Sequence, residues 1–222
     1  MLNMYETFKF NGKSSDQYKV LMNTEWLDVS PSINYEKIDI EGRDGAIYEK
    51  LNFKDVNRSV ACTMMNKEYI PLIIRWLKGS GVFEFKGRYR EARVFDQIDF
   101  NPIGIKHADF TIPFIFEPFW YKRDQFVEYT DSVKNNGDVY SVPIIRLKGS
   151  GAGSVTINGL TFGVSFDGDQ QIVIDCKEKN EDKPKCVTIG FEYPTLKPGE
   201  NEISYSGGIT SIEIMRKDRW YG

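Results

Sequence analysis

The stretch that decides the fold of this 222-residue chain is residues 107–121, HADFTIPFIFEPFWY. Large apolar side chains occupy every second position of it, at Phe110, Ile112, Phe114 and Phe116. Successive side chains of a β-strand point to opposite faces, so these four share one face. We therefore predict that this strand is the centre of the first hydrophobic core, where each buried side chain contributes about 1.5–3 kcal/mol.

Outward from this strand, short apolar alternations recur along the chain, with turn residues about every 8–12 positions, which is typical of β-sandwiches. One segment, residues 66–77, is helical instead. Ile70, Ile73, Ile74 and Leu77 recur at the spacing of one helix face, which we expect to cover a sheet. Asn66 is a candidate cap, and Pro71 fits the first turn.

The segment from Ile33 to Leu51 predicts a protruding hairpin arm. Its alternation is imperfect, and Gly42-Arg43-Asp44-Gly45 supplies a turn, because glycine adopts positive φ and aspartate caps local amides. Unless it folds back, such an arm cannot bury its apolar residues within its own chain, whereas a neighbouring copy can bury them. The expected subunit-interface residues are Ile38, Ile40, Gly42, Arg43, Asp44, Gly45 and Ile47.

A polar segment that ends in Asn135-Asn136-Gly137 predicts a domain boundary, with domains at residues 1–130 and 131–222. The second domain is expected to consist of short strands without a helix. Asn158-Gly159 predicts a two-residue hairpin turn. The glycine-rich residues 149–154 predict a flexible turn between two strands, because a strand rather than a helix follows them, and a phosphate loop is therefore not expected.

Composition predicts no catalytic, cofactor or metal site. The chain has a single histidine, and its three cysteines lack the Cys-x-x-Cys spacing of a zinc site. Asp167-Gly168-Asp169, read as a hairpin tip, lacks the further ligands of a full calcium loop. Cys176 and Cys186 could face each other across a hairpin, although free thiols are the default in a reducing compartment.

Charge and hydropathy also limit the partners. The net charge of −3 is spread along the chain, which argues against nucleic acid. Arg88, Arg90 and Arg93 form a basic cluster that we expect to pair with neighbouring carboxylates. No apolar run approaches the roughly 18 residues of a membrane-spanning helix, and the start of the sequence lacks the pattern of a secretory signal.

Two other functions stay open. Tyr193 and Trp220 are candidate contacts for a glycan or a partner protein, as in a carbohydrate-binding module that contacts host cell-wall glycans. A glycosidase needs two carboxylates at a defined spatial separation, and nothing in the sequence selects such a pair.

Several motifs follow one another in a characteristic order. The arm turn at residues 42–45 precedes Trp76-Leu77-Lys78-Gly79 at the end of the helix, and RYREAR follows at residues 88–93. SVPIIRLKG at residues 141–149 and YPTLKPGEN at residues 193–201 complete the order. In this order and spacing the chain resembles the distal tail protein family of long flexible-tailed, siphovirus-type bacteriophages and prophages.

The resemblance implies a mainly β fold of two β-sandwich domains. The first would carry one helix and a protruding β-hairpin arm that embraces the neighbouring subunit, with Gly42–Gly45 as the turn of the arm. The second would be a jelly roll like those of galectins and carbohydrate-binding modules, a fold that does not by itself imply sugar binding.

The implied role is that of a non-enzymatic structural virion protein. It would form a homo-hexameric ring that links the tail tube to the tip or baseplate and to host-adsorption proteins. The implied partners are the tail tube protein, a tail-tip or tail-associated fibre or lysin protein and, as a further candidate, a receptor-binding protein. Sequence-specific nucleic acid and membrane insertion are not implied, and neither is a cofactor. The implied location is the tail tip of the virion, assembled in the host bacterial cytoplasm.

Overall fold

The computed structural model describes residues 5–23, 29–181, 186–187 and 192–221. The contacts divide the chain into two compact units, one that runs up to Trp120 and includes Tyr221, and one from Tyr121 to Trp220. Residues 127–129, which the expected boundary at residue 130 places in the first domain, pair with a strand of the second unit.

The first unit contains one described α-helix, α1 (Ile70–Leu77), preceded by 3-10 turns at Ser15–Tyr18 and Lys67–Tyr69. Its strands are β1 (Tyr5–Glu6), β2 (Lys9–Phe10), β3 (Lys13–Ser14), β4 (Val20–Asn23), β5 (Ile33–Ile38), β6 (Ile47–Phe53), β7 (Val56–Met64), β8 (Gly79–Phe85), β9 (Arg88–Val94), β10 (Phe100–Ile103) and β11 (His107–Phe116). The main sheet has the order β1-β4-β7-β11-β9-β8-β2-β3, and β10 pairs with β11.

Strand β11 lies between β7 and β9 in this sheet, and its apolar face lies in the first core, as predicted. It pairs antiparallel with β7 from Ala108 to Phe116 and also with β9. The four alternating side chains of β11 are at most 2% exposed. The ring of Phe114 lies 5.3 Å from that of Phe83 and 6.4 Å from that of Phe8, so an aromatic cluster forms the core.

Helix α1 begins at Ile70 with Pro71 in its first turn, as predicted. Asn66 caps the 3-10 turn before it, because its side-chain oxygen accepts a hydrogen bond from the Glu68 amide at 3.1 Å. The predicted apolar face is wrong at one position. Ile74 is 42% exposed and Trp76 is buried in its place, stacked on Phe8 with ring centroids 5.4 Å apart. The core-facing residues of the helix are therefore Ile73, Trp76 and Leu77.

Strands β5 and β6 form a two-stranded sheet of their own, which is the predicted arm. Strand β5 ends at Ile38, two residues before the predicted Ile40. A register shift leaves Leu51 as an extra residue on β6. At the base of the arm, the Lys54 amide donates a hydrogen bond to the Ser32 carbonyl at 2.8 Å.

The second unit contains strands only among its described residues. They are β12 (Tyr121–Lys122), β13 (Val127–Tyr129), β14 (Ser132–Asn135), β15 (Ile144–Ile157), β16 (Leu160–Asp175), β17 (Asn180–Glu181), β18 (Cys186–Val187) and β19 (Gly199–Met215). The sheet order is β13-β19-β15-β16-β17, with β14 on β19 and β18 on β16. The sheets of the molecule are curled over their cores, which confirms the predicted mainly β, two-sandwich fold class.

Three strands of the second unit are much longer than predicted, and the flexible turn predicted at residues 149–154 is wrong. This segment lies inside β15, at a β-bulge where it passes close to β19. A Cβ atom on Gly208 would lie 1.7 Å from the Ser150 carbonyl oxygen, and one on Gly149 would lie 2.2 Å from that of Gly208. The glycines therefore allow two continuous strands to approach each other at a bend.

Two other turn predictions have opposite outcomes. Asn158-Gly159 joins β15 to β16 as a two-residue hairpin, with φ of +50° and +84°. Asp167-Gly168-Asp169 is not a hairpin tip, because β16 runs through it. The charged stretch at residues 177–185, predicted as a solvated hairpin tip, lies partly outside the described residues.

Candidate functional site

The arm carries a dense group of exposed apolar side chains. Their exposed fractions run from 39% to 61%, and they are Ile33, Tyr35, Ile38, Ile40, Ile47, Tyr48 and Leu51. A two-stranded ribbon forms a single layer, so its own strands cannot cover these side chains. Within the described part of the chain, the arm is therefore an apolar surface that stays largely uncovered, as its sequence predicts.

The predicted interface residues lie together on the outer half of the arm. Ile38 and Ile47 are directly opposite each other on the paired strands. The turn follows them, with the Arg43 amide donating to the Ile40 carbonyl at 3.2 Å. Gly42 and Gly45 have φ of +77° and +78°, the left-handed conformation that glycine adopts without strain. Their contact with another subunit stays a prediction.

One face of the arm is held by contacts within the arm. On this aromatic face the rings of Tyr35 and Tyr48 are 5.3 Å apart. The Lys50 ammonium lies 4.2 Å from the centre of the Phe53 ring. Lys37 forms a 3.0 Å ion pair with Asp39 next to the turn.

The opposite face has a different character. On this acidic face the strand register places Glu36 directly opposite Glu49, next to the pair Ile38 and Ile47. Like charges that face each other across two strands destabilise a hairpin. The acidic face therefore combines a repulsive charge pair with uncovered isoleucines.

The two candidate glycan-contact residues are half-buried rather than exposed. Tyr193 packs against the core of the second unit, and its hydroxyl donates to the Lys179 carbonyl at 2.8 Å. The Lys122 ammonium lies 4.8 Å from the centre of the Trp220 ring. Each side chain thus already has contacts of its own, and sugar stacking on Tyr193 or Trp220 stays a prediction.

Two arginines of the predicted cluster have different surroundings. Arg93 is paired with carboxylates, as expected, at 3.3 Å from Asp55 and 3.9 Å from Glu91. Arg90 is fully buried, and its guanidinium carbon lies 3.7 Å from the centre of the Phe116 ring. The alternation of β9, in which Ala92 and Val94 are core residues, is the sequence signal for this burial.

The described thiols are buried and free. Cys62 and Cys176 are each 3% exposed. Burial raises the pKa of the Cys62 thiol far above its usual value. Burial, with a smaller contribution from the Asp175 carboxylate, raises the pKa of Cys176 to about 12. Both thiols are therefore protonated and unreactive at neutral pH. The Cys186 side chain lies outside the described residues.

The described residues contain neither a metal-ligand cluster nor a membrane-spanning helix. Within residues 5–23, 29–181, 186–187 and 192–221, no three histidine, cysteine, aspartate or glutamate side chains are grouped to hold a metal ion. In the same part of the chain, no helix has the length and hydropathy needed to span a bilayer.

A buried asparagine that no sequence pattern singled out organises the second unit. Asn201 is 1% exposed, and its amide donates to the carbonyls of Val133, Lys197 and Gly199 at 3.2, 2.9 and 2.8 Å. Its side-chain oxygen accepts hydrogen bonds from the Lys197 amide at 2.7 Å and from Asn158 at 2.8 Å. Its position in the motif at residues 193–201 was the only available signal.

The fold of this chain is similar to that of a solved structure, although its sequence matches no family model. No protein-family model matches the chain. No curated protein matches it either. Among solved structures, the crystal structure of the SPP1 Dit protein (gp 19.1) is similar, with a TM-score of 0.75 and 15% sequence identity over 94% of this chain and 98% of that chain. That protein is described as a paradigm of the hub adsorption apparatus in phages that infect Gram-positive bacteria. The predicted resemblance is confirmed at the level of the fold.

Proposed function

We propose that this chain is a structural virion protein, a hub at the distal end of a bacteriophage tail that joins the tail tube to the host-adsorption apparatus. The observation that carries the proposal is the fold shared with SPP1 Dit over 94% of this chain and 98% of that one. A single sandwich domain occurs with many functions, whereas a likeness over nearly the whole of two chains is far more specific.

The proposed hub is a ring of six copies, and the arm supports this part of the proposal. Its apolar residues are uncovered in a single chain, and another copy of the chain would cover them. A contact in which one copy grips the next generates a closed ring when the rotation between copies closes. In the virion the ring would bind the tail tube protein on one side and a tail-tip, fibre or lysin protein on the other, with a receptor-binding protein as a further candidate. It would act without catalysis, cofactor or metal, and would assemble in the host bacterial cytoplasm.

Light scattering of the purified full chain over a wide range of concentrations, combined with negative-stain electron microscopy, tests this function. Six chains of 25.6 kDa give a particle of about 154 kDa, which we expect to appear as a ring with a central opening. Monomers alone, by both methods and at every concentration, would contradict the proposal.

A further inference from the structure

The acidic face of the arm combines charge with apolar area, and this combination defines the surface that would cover it. The described contacts within the arm lie on the aromatic face, whereas the acidic face carries the opposed pair Glu36 and Glu49. Beside them Ile38 and Ile47 are each 39% exposed. A surface that covers this face has to offer cations to the glutamates and apolar area to the isoleucines.

Such a surface exists at one corner of the first unit. It consists of three exposed apolar residues and two exposed lysines, which we call the basic corner: Lys19, Met65, Ile103, Ile105 and Lys106. Ile105, at the tip of the β10–β11 hairpin, is 91% exposed.

Backbone hydrogen bonds hold the parts of the basic corner together. The Met65 amide donates to the Lys19 carbonyl at 2.9 Å, and the Lys67 amide donates to the Lys106 carbonyl at 2.9 Å. Two carboxylates lie nearby, and both have hydrogen-bond donors. Asn66 donates to Glu68 at 3.3 Å, and the Thr63 hydroxyl donates to Asp109 at 2.7 Å. These neutral donors leave both carboxylates charged. Lys67, whose ammonium donates to the Gly104 carbonyl at 3.1 Å, adds a third cation, so the lysines of this region outnumber the two carboxylates.

The base of the arm and the basic corner adjoin opposite ends of β7. The base of the arm adjoins the start of β7 at Val56, where Phe53 packs on Phe119 with ring centroids 4.8 Å apart. The basic corner adjoins the other end of β7, at Met64. A strand of this length spans about 27 Å. The acidic face and the basic corner are therefore placed for a head-to-tail contact between two copies.

We propose that the acidic face of the arm in one copy docks on the basic corner of the next copy. Glu36 and Glu49 pair with Lys19 and Lys106, while Ile38 and Ile47 pack on Met65, Ile103 and Ile105. This docking rests on the proposed ring and adds the surface that receives the arm. The acidic face of the arm and the basic corner are different surfaces of one chain. Every copy therefore uses both surfaces, and the contact repeats around the ring.

Charge reversal tests the docking on the full chain. The arm variant is Glu36→Lys with Glu49→Lys, and the corner variant is Lys19→Glu with Lys106→Glu. Each variant alone brings like charges together at every contact, so we expect its dissociation constant for assembly to rise at least tenfold. The matched control is Glu192→Lys with Glu202→Lys in the second unit, which we expect to assemble like the wild type.

Mixing the two variants supplies the decisive result. In an equimolar mixture each reversed arm meets a reversed corner and each native arm meets a native corner. Rings with equal numbers of the two variants should therefore reappear. Native mass spectrometry with ¹⁵N-labelled arm variant reads this composition directly. Variants that each assemble like the wild type, or a mixture that stays dissociated, would overturn the docking alone. A wild-type chain that never assembles would overturn the proposed hub as well.

Cross-linking gives a second measurement that does not depend on charge-reversed chains folding. We expect Ile38→Cys and Ile105→Cys chains, mixed under mild oxidation, to form a disulfide between copies. Ile105→Cys mixed with Val127→Cys, which replaces an exposed residue of the second unit, is the control and should not form one. Equal cross-linking in both mixtures would also overturn the docking.

Discussion

At the scale of single residues, the core of the first unit contains an arginine. Arg90 is 0% exposed, and its guanidinium carbon lies 3.7 Å from the Phe116 ring centre and 4.1 Å from that of Trp120. A planar guanidinium stacks on aromatic faces while its charge stays delocalised, whereas a lysine ammonium is a compact and strongly hydrated charge. Arginine at this position is therefore part of the packing.

We expect Arg90→Lys to lower the free energy of unfolding by about 2–3 kcal/mol, because it removes this stacking and buries a more strongly hydrated cation. Urea denaturation followed by tryptophan fluorescence measures the change. Arg88→Lys, on the same strand but half-buried, is the control and should cost less than about 1 kcal/mol. Equal losses in the two variants would show that the stacking contributes nothing.

Asn201 has a comparable role in the second unit. Asn201→Ala leaves buried carbonyls and an amide without their partner, and each such loss costs about 1–3 kcal/mol. We therefore expect the variant to lose at least about 3 kcal/mol in a urea titration followed by circular dichroism. Asn180→Ala, at an exposed site of the same unit, should be close to neutral. A neutral Asn201→Ala would refute the organising role of this side chain.

The buried thiols predict how stability depends on pH. In the unfolded chain a thiol ionises near pH 8.5, whereas burial raises the folded-state pKa of Cys176 to about 12 and that of Cys62 further. The contribution of each thiol is therefore fully present below about pH 8.5 and is lost as the pH rises above it, by up to about 1.4 kcal/mol per pH unit. Urea titrations from pH 8 to 11 should show a smaller loss in Cys62→Val and Cys176→Val variants than in the wild type.

At the scale of elements, β15 and β19 bend at their glycine-rich segments, where the sequence had predicted a turn. A Cβ atom on Gly208 would lie 1.7 Å from a backbone oxygen, so Gly208→Ala has to push two strands apart. We expect it to cost more than about 2 kcal/mol in chemical denaturation. Gly168→Ala, where the Cβ would meet open space but φ is +75°, should cost only about 1 kcal/mol. The reverse order would show that close approach does not govern this bend.

The elements that sequence analysis predicted correctly have local signals. The alternation of β11, the helical spacing before Leu77 and the Asn158-Gly159 turn each depend on neighbours in the chain. The sequence of residues 149–154 predicted a turn, although glycine permits either a turn or a close approach of two strands. Only the facing strand β19 distinguishes the two structures. The ring contacts of Arg90 and the hydrogen bonds of Asn201 depend on partners far away in sequence, so no local pattern could show them. The prediction that Ile74 faces the core was wrong because it used the spacing of apolar residues alone and did not consider the size of Trp76.

At the scale of the whole molecule, the proposed hub does not require sugar recognition by the second unit. Tyr193 and Trp220 are half-buried and already in contact with their own chain. We therefore expect a cell-wall glycan array to show no binding by the full chain. Binding that is lost in Tyr193→Ala or Trp220→Ala would instead support a carbohydrate-binding module.

The central claim is that copies of this chain assemble through their arms. Excision of residues 39–48 removes the turn and the outer part of the arm while leaving every strand of both large sheets intact. The most direct measurement is the mass of this shortened chain beside that of the wild type, by light scattering at equal concentration. We expect the shortened chain to be a folded monomer, with the circular dichroism spectrum of a β protein, where the wild type forms a particle of about six chains. A shortened chain that still forms the full particle would contradict the central claim.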